Sequence, residues 1–341
     1  MYIHQQFCIS PQHTANTVNL EELIPSADGK LVALEPALEG VPAGMLRRMS
    51  KAVRMGIGAG LPLLKEAMPD GIIIGTANGG MEDCIKFLNQ IIDYEEGMLT
   101  PGNFVQSTPN AIAGQLSLIT KNRSYNATHV HLGLAFENAL LDAQLFLREH
   151  PGNTYLTGAV DEISTYNYNI DRLAGWYDPA LTSTGLFTGS HPATIAGEGA
   201  ALFLLGGNAA GALAEITAIE TVHTPDAQLV TVRFGELLDR LPVTGDTLLL
   251  SGENGDNRYQ HFYDALESLA APVPVLRFKH ITGEYPTATS FAVWLAVHFL
   301  QTGNIPAHFL KKGTLPAAVK QVIIYNHYHG KQHSFLVLSN R

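Results

Sequence analysis

The stretch 124–139, SYNATHVHLGLAFENA, has the pattern of a short strand, a tight turn and a helix. Many α/β enzymes hold a nucleophile at such a turn, because the N-terminus of the following helix favours a negative charge there. In this chain the apex of the turn is Val130, which lies between His129 and His131. A valine side chain can neither attack a substrate nor transfer a proton. The pattern therefore predicts the shape of a catalytic turn without a reactive group at its apex.

Two other motifs could carry chemistry. GTANGG, residues 75–80, is similar to a phosphate-binding loop, but it lacks the Lys-Ser/Thr ending of a P-loop and the spacing of a dinucleotide fingerprint. We interpret its glycines as sites of close packing between a strand and a helix. Asp161 and Glu162 follow a predicted strand and could form a pair of carboxylates. Neither motif identifies a reaction by itself.

Apolar strand segments alternate with helical segments along the chain. The predicted strands cover residues 2–9, 71–76, 153–159, 199–205, 213–222, 246–250, 321–326 and 334–339. The predicted helices cover residues 45–67, 81–93, 109–119, 133–149, 258–270 and 287–301. This alternation predicts an α/β protein with a mainly parallel sheet that helices cover on both faces.

Two related halves are predicted rather than one doubly wound sheet. Residues 199–222 contain an apolar strand, the turn GGNAAG and a second long strand, and a new strand–loop–helix series begins near residue 246. We therefore divide the chain into an N-terminal half, residues 1–210, and a C-terminal half, residues 211–341.

The composition excludes several classes of protein. Of the 341 residues, 46% are hydrophobic and 15% are charged, which predicts a large buried core, and the net charge of -10 argues against nucleic-acid binding. The longest apolar stretches, such as residues 291–300, are too short to span a membrane, and the N-terminus lacks the pattern of a signal peptide. Cys8 and Cys84 are predicted to be buried free thiols. We therefore expect a cytoplasmic protein.

Six motifs follow one another between residues 71 and 330. They are GTANGGMED (75–83), TPNAIAGQLSL (108–118), LTGAVDEIS (156–164), AGEGAALFLL (196–205), KHITGE (279–284) and NHYHG (326–330). In this order they resemble the motifs of the β-ketoacyl synthases of the thiolase superfamily. The resemblance implies a thiolase-like fold, in which two similar halves form a layered αβαβα architecture.

The same resemblance assigns the positions of three catalytic groups. Condensing enzymes of this family use a cysteine that accepts the acyl chain and two histidines that assist decarboxylation and stabilise the developing charge. In this chain the cysteine position aligns with Val130, the first histidine with Asn254 and the second with Glu284. Because all three groups are replaced, we predict that no catalytic residue is intact.

The remaining residues of the predicted pocket are also assigned by the resemblance. They are Thr128, His129, His131, Gly133, Lys279, His327 and His329. Thr128, Gly133 and Lys279 match residues of the family motifs. We predict neither a metal nor another cofactor in this pocket.

Loss of the cysteine resembles the chain length factors, which pair with a competent ketosynthase and help to shape its acyl tunnel. The resemblance implies a non-catalytic subunit of fatty-acid or polyketide-type biosynthesis, with a polyene pigment pathway as one setting. Its implied partners are an active β-ketoacyl synthase, in a heterodimer, and an acyl carrier protein, bound directly or through that partner. We expect no nucleic-acid or membrane partner.

Two other functions remain open. His129 and His131 could bind zinc together with Glu284 and histidines of the 326–333 region, or Thr128 or Ser251 could support acyl transfer in a rebuilt site. Alternatively, the chain could be a stand-alone module that binds acyl groups or a carrier protein. In that case the basic segment MLRRMSKAVRM, residues 45–55, is the best candidate for the docking surface.

Overall fold

The computed structural model describes residues 1–65 and 68–340. In these residues the strands are Tyr2–Ile9 (β1), Lys30–Leu31 (β2), Gly71–Gly75 (β3), Tyr125–His129 (β4), Thr154–Asp161 (β5), Ala196–Gly197 (β6), Gly199–Gly206 (β7), Ala214–His223 (β8), Thr247–Ser251 (β9), Val275–Arg277 (β10), Leu310–Lys312 (β11), Gln321–Tyr328 (β12) and Gln332–Ser339 (β13). The helices are Ala43–Leu46 (α1), Lys51–Gly60 (α2), Met81–Asp93 (α3), Pro101–Gln106 (α4), Ala111–Thr120 (α5), Ala135–Glu149 (α6), Thr165–Leu173 (α7), Ala227–Arg240 (α8), Gln260–Leu269 (α9), Lys279–Thr282 (α10) and Thr289–Thr302 (α11).

The sheet topology of the first part of the chain is repeated in the second. The first set of strands has the order β4-β3-β5-β7-β1, in which β3 is parallel to β4 and β5, and β7 is antiparallel to β5 and β1. The second set has the order β10-β9-β12-β13-β8, with the same sequence of parallel and antiparallel pairs. Strand β11 extends the second set at the outer edge of β10. The two sets are therefore topological copies.

The two sets of strands meet at β1 and β8. Only two residue pairs join them, Tyr2 with Glu215 and Ile3 with Ala214, so all eleven strands form one hydrogen-bonded sheet. The first set ends with β7 and the second begins with β8. The division into domains at residues 210 and 211 stays a prediction.

Helices and strands form five layers. The core on one face of the first set contains residues of α2 and α5, and the core on one face of the second set contains residues of α8 and α9. The largest core lies between the two sets and is built from α6, α11 and the inner faces of both sets of strands. Helix α11 is buried nearly all round, as expected for a helix in a central layer. The predicted α/β, thiolase-like αβαβα fold is confirmed.

The expectation of a mainly parallel sheet is wrong, because the sheet is mixed. Antiparallel pairs outnumber parallel pairs, and one of them, β12 with β13, is a hairpin. The central residues of its turn are His329 and Gly330, both with positive φ, at +51° and +60°. Such a turn matches the twist of antiparallel strands. The NHYHG motif therefore covers the end of a strand and a hairpin turn.

Some predicted elements differ from the observed ones. The helix predicted over 45–67 is divided between α1 and α2, followed by a short 3-10 turn at Leu61–Leu64, and residues 66 and 67 lie outside the described residues. Helix α8 was not predicted, although Asp226 caps it by accepting hydrogen bonds from the N–H groups of Gln228 and Leu229. A capping aspartate before a periodic apolar pattern is the signal that could have identified this helix.

None of the helices in the described residues is long and apolar enough to cross a membrane. Neither cysteine forms a disulfide. Cys8 is buried, as predicted, whereas Cys84 is only partly buried. Burial raises the pKa of the Cys8 thiol, so this thiol remains protonated at neutral pH.

Candidate functional site

The turn at the apex of 124–139 connects the edge strand β4 to helix α6. Val130 follows β4 directly and is 52% exposed. Leu132 has a φ of +49°, a conformation that is rare for a non-glycine residue. Such strain is typical of tight strand-to-helix turns at functional sites. The turn therefore has the shape of a nucleophile elbow, with an exposed valine at its apex.

Glycines hold this elbow against two neighbouring elements. At Gly75, a Cβ atom would lie 2.6 Å from the carbonyl oxygen of Ala135, so only glycine allows β3 to approach the start of α6. At Gly133, a Cβ atom would lie 2.2 Å from the Cβ of Tyr328, and the Gly133 N–H donates to Gln332 Oε1 at 2.9 Å. The elbow thus packs both against β3 of the first set of strands and against the β12–β13 hairpin of the second set.

The polar side chains around Val130 point to the helices that flank β4. Thr128 donates to Asn110 Oδ1 at 2.9 Å, immediately before α5. His129 Nε2 lies 2.8 Å from Asp142 Oδ2 on α6. These contacts direct the two side chains away from each other, towards α5 and α6. Sequence reasoning placed both in one pocket, and it did not identify Asp142 as the partner of His129.

His131 also has a partner on α6. Its Nδ1 atom lies 2.8 Å from Asn138 Nδ2. His129 and His131 therefore interact with different residues of α6. No group of three or more His, Cys, Asp or Glu side chains with the geometry of a metal site occurs within residues 1–65 and 68–340. The zinc interpretation of these histidines gains no support from their geometry.

Asn254 and Glu284, which the resemblance assigns to the two histidine positions, lie together in a buried cluster with Lys279. Glu284 Oε2 accepts a hydrogen bond of 2.8 Å from Asn254 Nδ2, and Glu284 Oε1 accepts one of 2.6 Å from Lys279 Nζ. All three residues are buried, and Lys279 is completely so. Burial lowers the pKa of Lys279, while the Glu284 carboxylate opposes this shift. We call these three residues the Lys279 cluster.

The backbone position of Glu284 is set by two glycine motifs that pack directly on each other. A Cβ atom at Gly197 would lie 2.0 Å from the carbonyl oxygen of Thr282, and one at Gly283 would lie 2.6 Å from that of Ala196. Two hydrogen bonds of 2.9 Å complete the contact, from Gly197 N–H to Glu284 O and from Glu284 N–H to Ile195 O. The GEGA and KHITGE motifs therefore join the two parts of the chain beside the Lys279 cluster.

Asp161 and Glu198 are structural carboxylates near this junction. Asp161 accepts hydrogen bonds from Thr76 Oγ1, the N–H groups of Ala77 and Asn78, and Thr287 Oγ1, at 2.7 to 3.0 Å. Glu198 accepts from the N–H groups of Ala33 and Ile163 and pairs with Lys51. Because these donors occupy their oxygens, both carboxylates hold loops together and are poorly placed for acid–base chemistry.

The histidines of the hairpin lie in an aromatic cluster. Burial lowers the pKa of His327 well below its usual range, and burial lowers the pKa of His329 and of His333 to about 4. These side chains are therefore neutral at pH 7. His329 stacks between Trp176 and Tyr328, with ring centroids 3.6 and 3.9 Å apart. The predicted pocket residues His327 and His329 thus pack against aromatic rings. The positive charge of Lys279 also contributes to the lowered pKa of His327.

Glu137 is a buried acid that sequence reasoning missed. It lies in the first turns of α6, is fully buried, and neither carboxylate oxygen has a hydrogen-bond partner among the described residues, although Ser334 and Thr289 lie nearby. Burial raises the pKa of Glu137 to about 7. The signal in the sequence is a single charged residue within the apolar run LGLAFENALL.

The positions that the resemblance assigns to the three catalytic groups hold a valine, an asparagine and a glutamate. The elbow apex has no thiol, and the Glu284 carboxylate accepts hydrogen bonds from the Asn254 amide and from Lys279. A carboxylate at this place would repel an oxyanion rather than stabilise it. Val130 is exposed, whereas Asn254 and Glu284 are buried.

Comparison with known proteins identifies the type of fold. Residues 26–172 match the family model of the β-ketoacyl synthase N-terminal domain. No curated protein matches the sequence.

Solved structures match the whole chain. A β-ketoacyl synthase from Burkholderia phymatum STM815 has a TM-score of 0.76 at 13% identity, covering 100% of this chain and 99% of that one. The ishigamide ketosynthase/chain length factor has a TM-score of 0.76 at 15% identity, covering 100% and 98%. The complex of the ketosynthase ApeO with its chain length factor ApeC from Xenorhabdus doucetiae has a TM-score of 0.74 at 13% identity, covering 100% and 98%.

These matches confirm the resemblance to the β-ketoacyl synthases and their thiolase-like fold. The structural relatives include complexes of a ketosynthase with a chain length factor. At these identities the structural matches establish the fold alone.

Proposed function

We propose that this chain is a non-catalytic, ketosynthase-like subunit of the chain length factor type. It pairs with an active β-ketoacyl synthase in a heterodimer and helps to shape the tunnel that holds the growing acyl chain. The pathway is of the fatty-acid or polyketide type, and the acyl carrier protein binds to the pair directly or through the active partner.

The Lys279 cluster carries the non-catalytic part of this proposal. An ion pair with a further amide hydrogen bond occupies the place that the resemblance assigns to two catalytic histidines. Breaking this cluster would leave a buried charge unpaired, which is costly. The cluster is therefore a stable replacement for the reactive groups, and together with Val130 it supports a subunit that has lost condensation chemistry.

The free edge of β4 supports the pairing. Among the described residues, β4 is hydrogen-bonded to β3 on one side only and forms one end of the sheet. An open edge strand presents unpaired N–H and C=O groups to which a second chain can bind. This edge lies next to the Val130 turn, so a partner bound there would adjoin the elbow.

Exposed apolar side chains surround the same edge. Leu118 on α5 is 72% exposed and Leu145 on α6 is 58% exposed, while Asn126 and His129 connect β4 to these two helices. Val130 and Leu132 extend the exposed apolar surface into the turn. Grouped apolar exposure of this kind is typical of a protein–protein interface. We call Leu118, Val130, Leu132, Leu145 and the edge of β4 the β4 face.

Relatives of the same fold provide the precedent. In the structure of the ketosynthase ApeO, the enzyme is in complex with its chain length factor ApeC. Another structure with this fold, of AntDE with AntF, contains a type II polyketide synthase carrier protein in complex with its ketosynthase, with a TM-score of 0.70 at 16% identity. These partners belong to those proteins, and we propose the corresponding partners for this chain.

Co-expression with a ketosynthase from the same source that retains Cys-His-His tests the proposal. We expect the two chains to co-purify as a one-to-one complex and the product length to change when this chain is omitted or altered. Condensation of acyl and malonyl thioesters by this chain alone would contradict the proposal. Retention of full ketosynthase activity and product length without this chain would also contradict it.

A further inference from the structure

Two histidines from different parts of the chain lie against each other beside the elbow. His131 lies in the turn between β4 and α6, and His223 is the last residue of β8. Their rings meet edge to face, with centroids 6.2 Å apart and an interplanar angle of 62°. Both residues are exposed. This pair belongs neither to the Lys279 cluster nor to the aromatic cluster of the hairpin.

Gln332 on β13 holds the backbones of the two histidines in these places. Its Oε1 atom accepts a hydrogen bond of 2.9 Å from the N–H group of Gly133, two residues after His131. Its own backbone pairs with His223 in the antiparallel register of β13 and β8. One residue therefore connects the elbow to the end of β8. The distance between the two histidine backbones is thus set by the fold.

Asn138 on α6 orients the ring of His131. Its Nδ2 atom lies 2.8 Å from His131 Nδ1, which leaves His131 Nε2 as the ring nitrogen that can take another partner. Metal-bound histidines are oriented in this way, by a polar group on the nitrogen that does not hold the metal. When a metal binds Nε2, the imidazole proton moves to Nδ1, and the Asn138 amide can rotate to accept a hydrogen bond from it through Oδ1.

The imidazole of His223 is available on the other side. Within residues 1–65 and 68–340 its ring nitrogens have no hydrogen-bond partner, and its ring contact is with His131. Metal–nitrogen bonds of about 2.0–2.1 Å let one ion bridge two imidazoles whose centroids are roughly 5 to 6.5 Å apart. The observed separation of 6.2 Å lies within this range. One ion can therefore bind both rings without a change in the backbone.

Two other pairs of histidine rings are in contact in the described chain, and both are less suited to a metal. His280 and His308 bond to each other, and His308 also bonds to the carbonyl oxygen of Leu20, so three of their four nitrogens are occupied. His333, which lies beside His327, is bonded through both of its nitrogens. Of these three pairs, the exposed pair beside the elbow has a free nitrogen on each ring.

We propose that His131 and His223 together bind a divalent transition-metal ion. Imidazole nitrogens suit Zn²⁺, Ni²⁺ and Cu²⁺, whereas Mg²⁺ and Ca²⁺ prefer oxygen ligands. Because the described residues contain no group of three or more His, Cys, Asp or Glu side chains that could hold a metal, water completes the coordination. The ion joins the elbow of the first set to β8 of the second set and so stabilises the turn. The site uses neither His129 nor Glu284, and it goes beyond the proposed function, because it concerns this chain without a partner.

Calorimetric titration of the purified chain with Cu²⁺, Ni²⁺ and Zn²⁺, in the absence of any histidine-containing affinity tag, tests the proposal. We expect one ion per chain, with Cu²⁺ bound most tightly, as the Irving–Williams order requires. His131→Asn and His223→Asn should each weaken binding at least about tenfold, because each removes one of the two protein ligands. The matched control is His150→Asn, which replaces an exposed histidine at the other end of α6. The control should bind all three ions like the original chain.

Electron paramagnetic resonance of the Cu²⁺ complex identifies the ligands. We expect two imidazole nitrogens on the ion in the original chain and one in either histidine variant. Asn138→Leu removes the group that orients His131, so it should weaken binding several-fold and leave the number of bound nitrogens unchanged. Because both histidines are exposed, we expect their variants to stay folded by circular dichroism.

Several results would overturn the proposal. One is the absence of binding by all three ions at submillimolar concentration, and another is equal affinity of the histidine variants and the control. Weaker binding after only one of the two histidine substitutions would also overturn it, because a bridging ion needs both rings. The same holds for two imidazole nitrogens on Cu²⁺ in a single histidine variant. All of these experiments omit the ketosynthase, so their failure leaves the pairing proposal to its own test.

Discussion

Glu284 lies at the position that the resemblance assigns to a catalytic histidine, and the surrounding side chains explain how a carboxylate is accommodated there. Lys279 is fully buried and needs a counter-charge, which Glu284 supplies at 2.6 Å. Asn254 donates to the second oxygen, so the carboxylate is bonded on both sides. Lys279 and Glu284 thus depend on each other, and replacing either one with a neutral residue leaves the other as an unpaired buried charge.

Glu284→Gln should destabilise the chain by about 3 kcal/mol, because it leaves the Lys279 ammonium buried without a counter-charge. Urea unfolding of the variant measures this change. The double variant Lys279→Met with Glu284→Leu removes both charges and should regain most of the lost free energy of unfolding. The coupling would be contradicted if the loss of unfolding free energy in the double variant equalled the sum of the losses in the two single variants.

Glu137 should make stability depend on pH. Its pKa is about 7 in the folded chain and about 4.5 when unperturbed, so the folded state binds this proton more tightly and loses stability as pH rises from about 4.5 to about 7. Glu137→Gln removes this loss. We expect the variant to gain on the order of 2 kcal/mol relative to the original chain between pH 5 and pH 8. A difference in unfolding free energy that is the same at both pH values would contradict this expectation.

At the scale of elements, β4 has two distinct surroundings. One edge of β4 pairs with β3. The side chains of Asn126, Thr128 and His129 on β4 make hydrogen bonds to α5, to the residue before α5 and to α6. The other edge has no strand beside it in the described chain. The residues that could have formed a catalytic pocket thus brace the strand against its helices, and the free edge remains for a partner.

Leu118→Asp with Leu145→Asp should prevent pairing with the ketosynthase without unfolding this chain, since both side chains are exposed. We expect at least about a hundredfold loss of affinity in analytical ultracentrifugation, because two charges would be desolvated in the interface. Leu229→Asp on α8, where the leucine is 44% exposed, is the control for adding a charge to an exposed helix. Normal pairing by the double variant would exclude the β4 face as the interface.

At the scale of the whole molecule, contacts between the two topological copies build both the core and the site. Helices α6 and α11 share the largest core, Gly197 packs on Gly283, and Gly133 packs on Tyr328. Each contact joins elements that are far apart in the chain. The elbow and the Lys279 cluster therefore depend on the association of both copies.

Buried neutral histidines should couple unfolding to proton uptake. Burial lowers the pKa of His280 to about 3 and those of His329 and His333 to about 4, whereas an unfolded histidine titrates near 6.5. Below pH 6.5 the unfolded chain therefore binds protons that the folded chain does not, and these histidines reduce stability as pH falls towards 4. His329→Asn keeps a residue that tolerates the positive φ.

We expect unfolding of His329→Asn at pH 5.5 to take up about one proton fewer than unfolding of the original chain. Calorimetry in buffers of different ionisation enthalpy measures the uptake. The variant also loses stacking on Trp176, which changes stability at every pH but leaves the number of protons unaffected. Equal uptake by the two chains would show that His329 is not neutral in the folded state.

The sequence alone predicted the α/β, thiolase-like fold, which the structure confirms, although the predicted mainly parallel sheet is mixed. Apolar strands and helices, glycines at close approaches and six ordered motifs are local features, so they can be recognised without knowing the contacts between them. For the same reason, the motifs suffice to assign the catalytic positions of the family to Val130, Asn254 and Glu284, and this assignment stays a prediction.

Only the tertiary structure decided what the remaining polar groups do. It directs His129 to Asp142 and Glu284 to Lys279, buries the Glu137 carboxylate beside Ser334 and Thr289, and opens a groove between Arg48 and Glu162. These outcomes depend on the directions of side chains and on contacts between residues that can be more than a hundred positions apart in the chain. The spacing of residues along a chain limits such contacts only weakly, because the packing of whole elements sets which side chains meet.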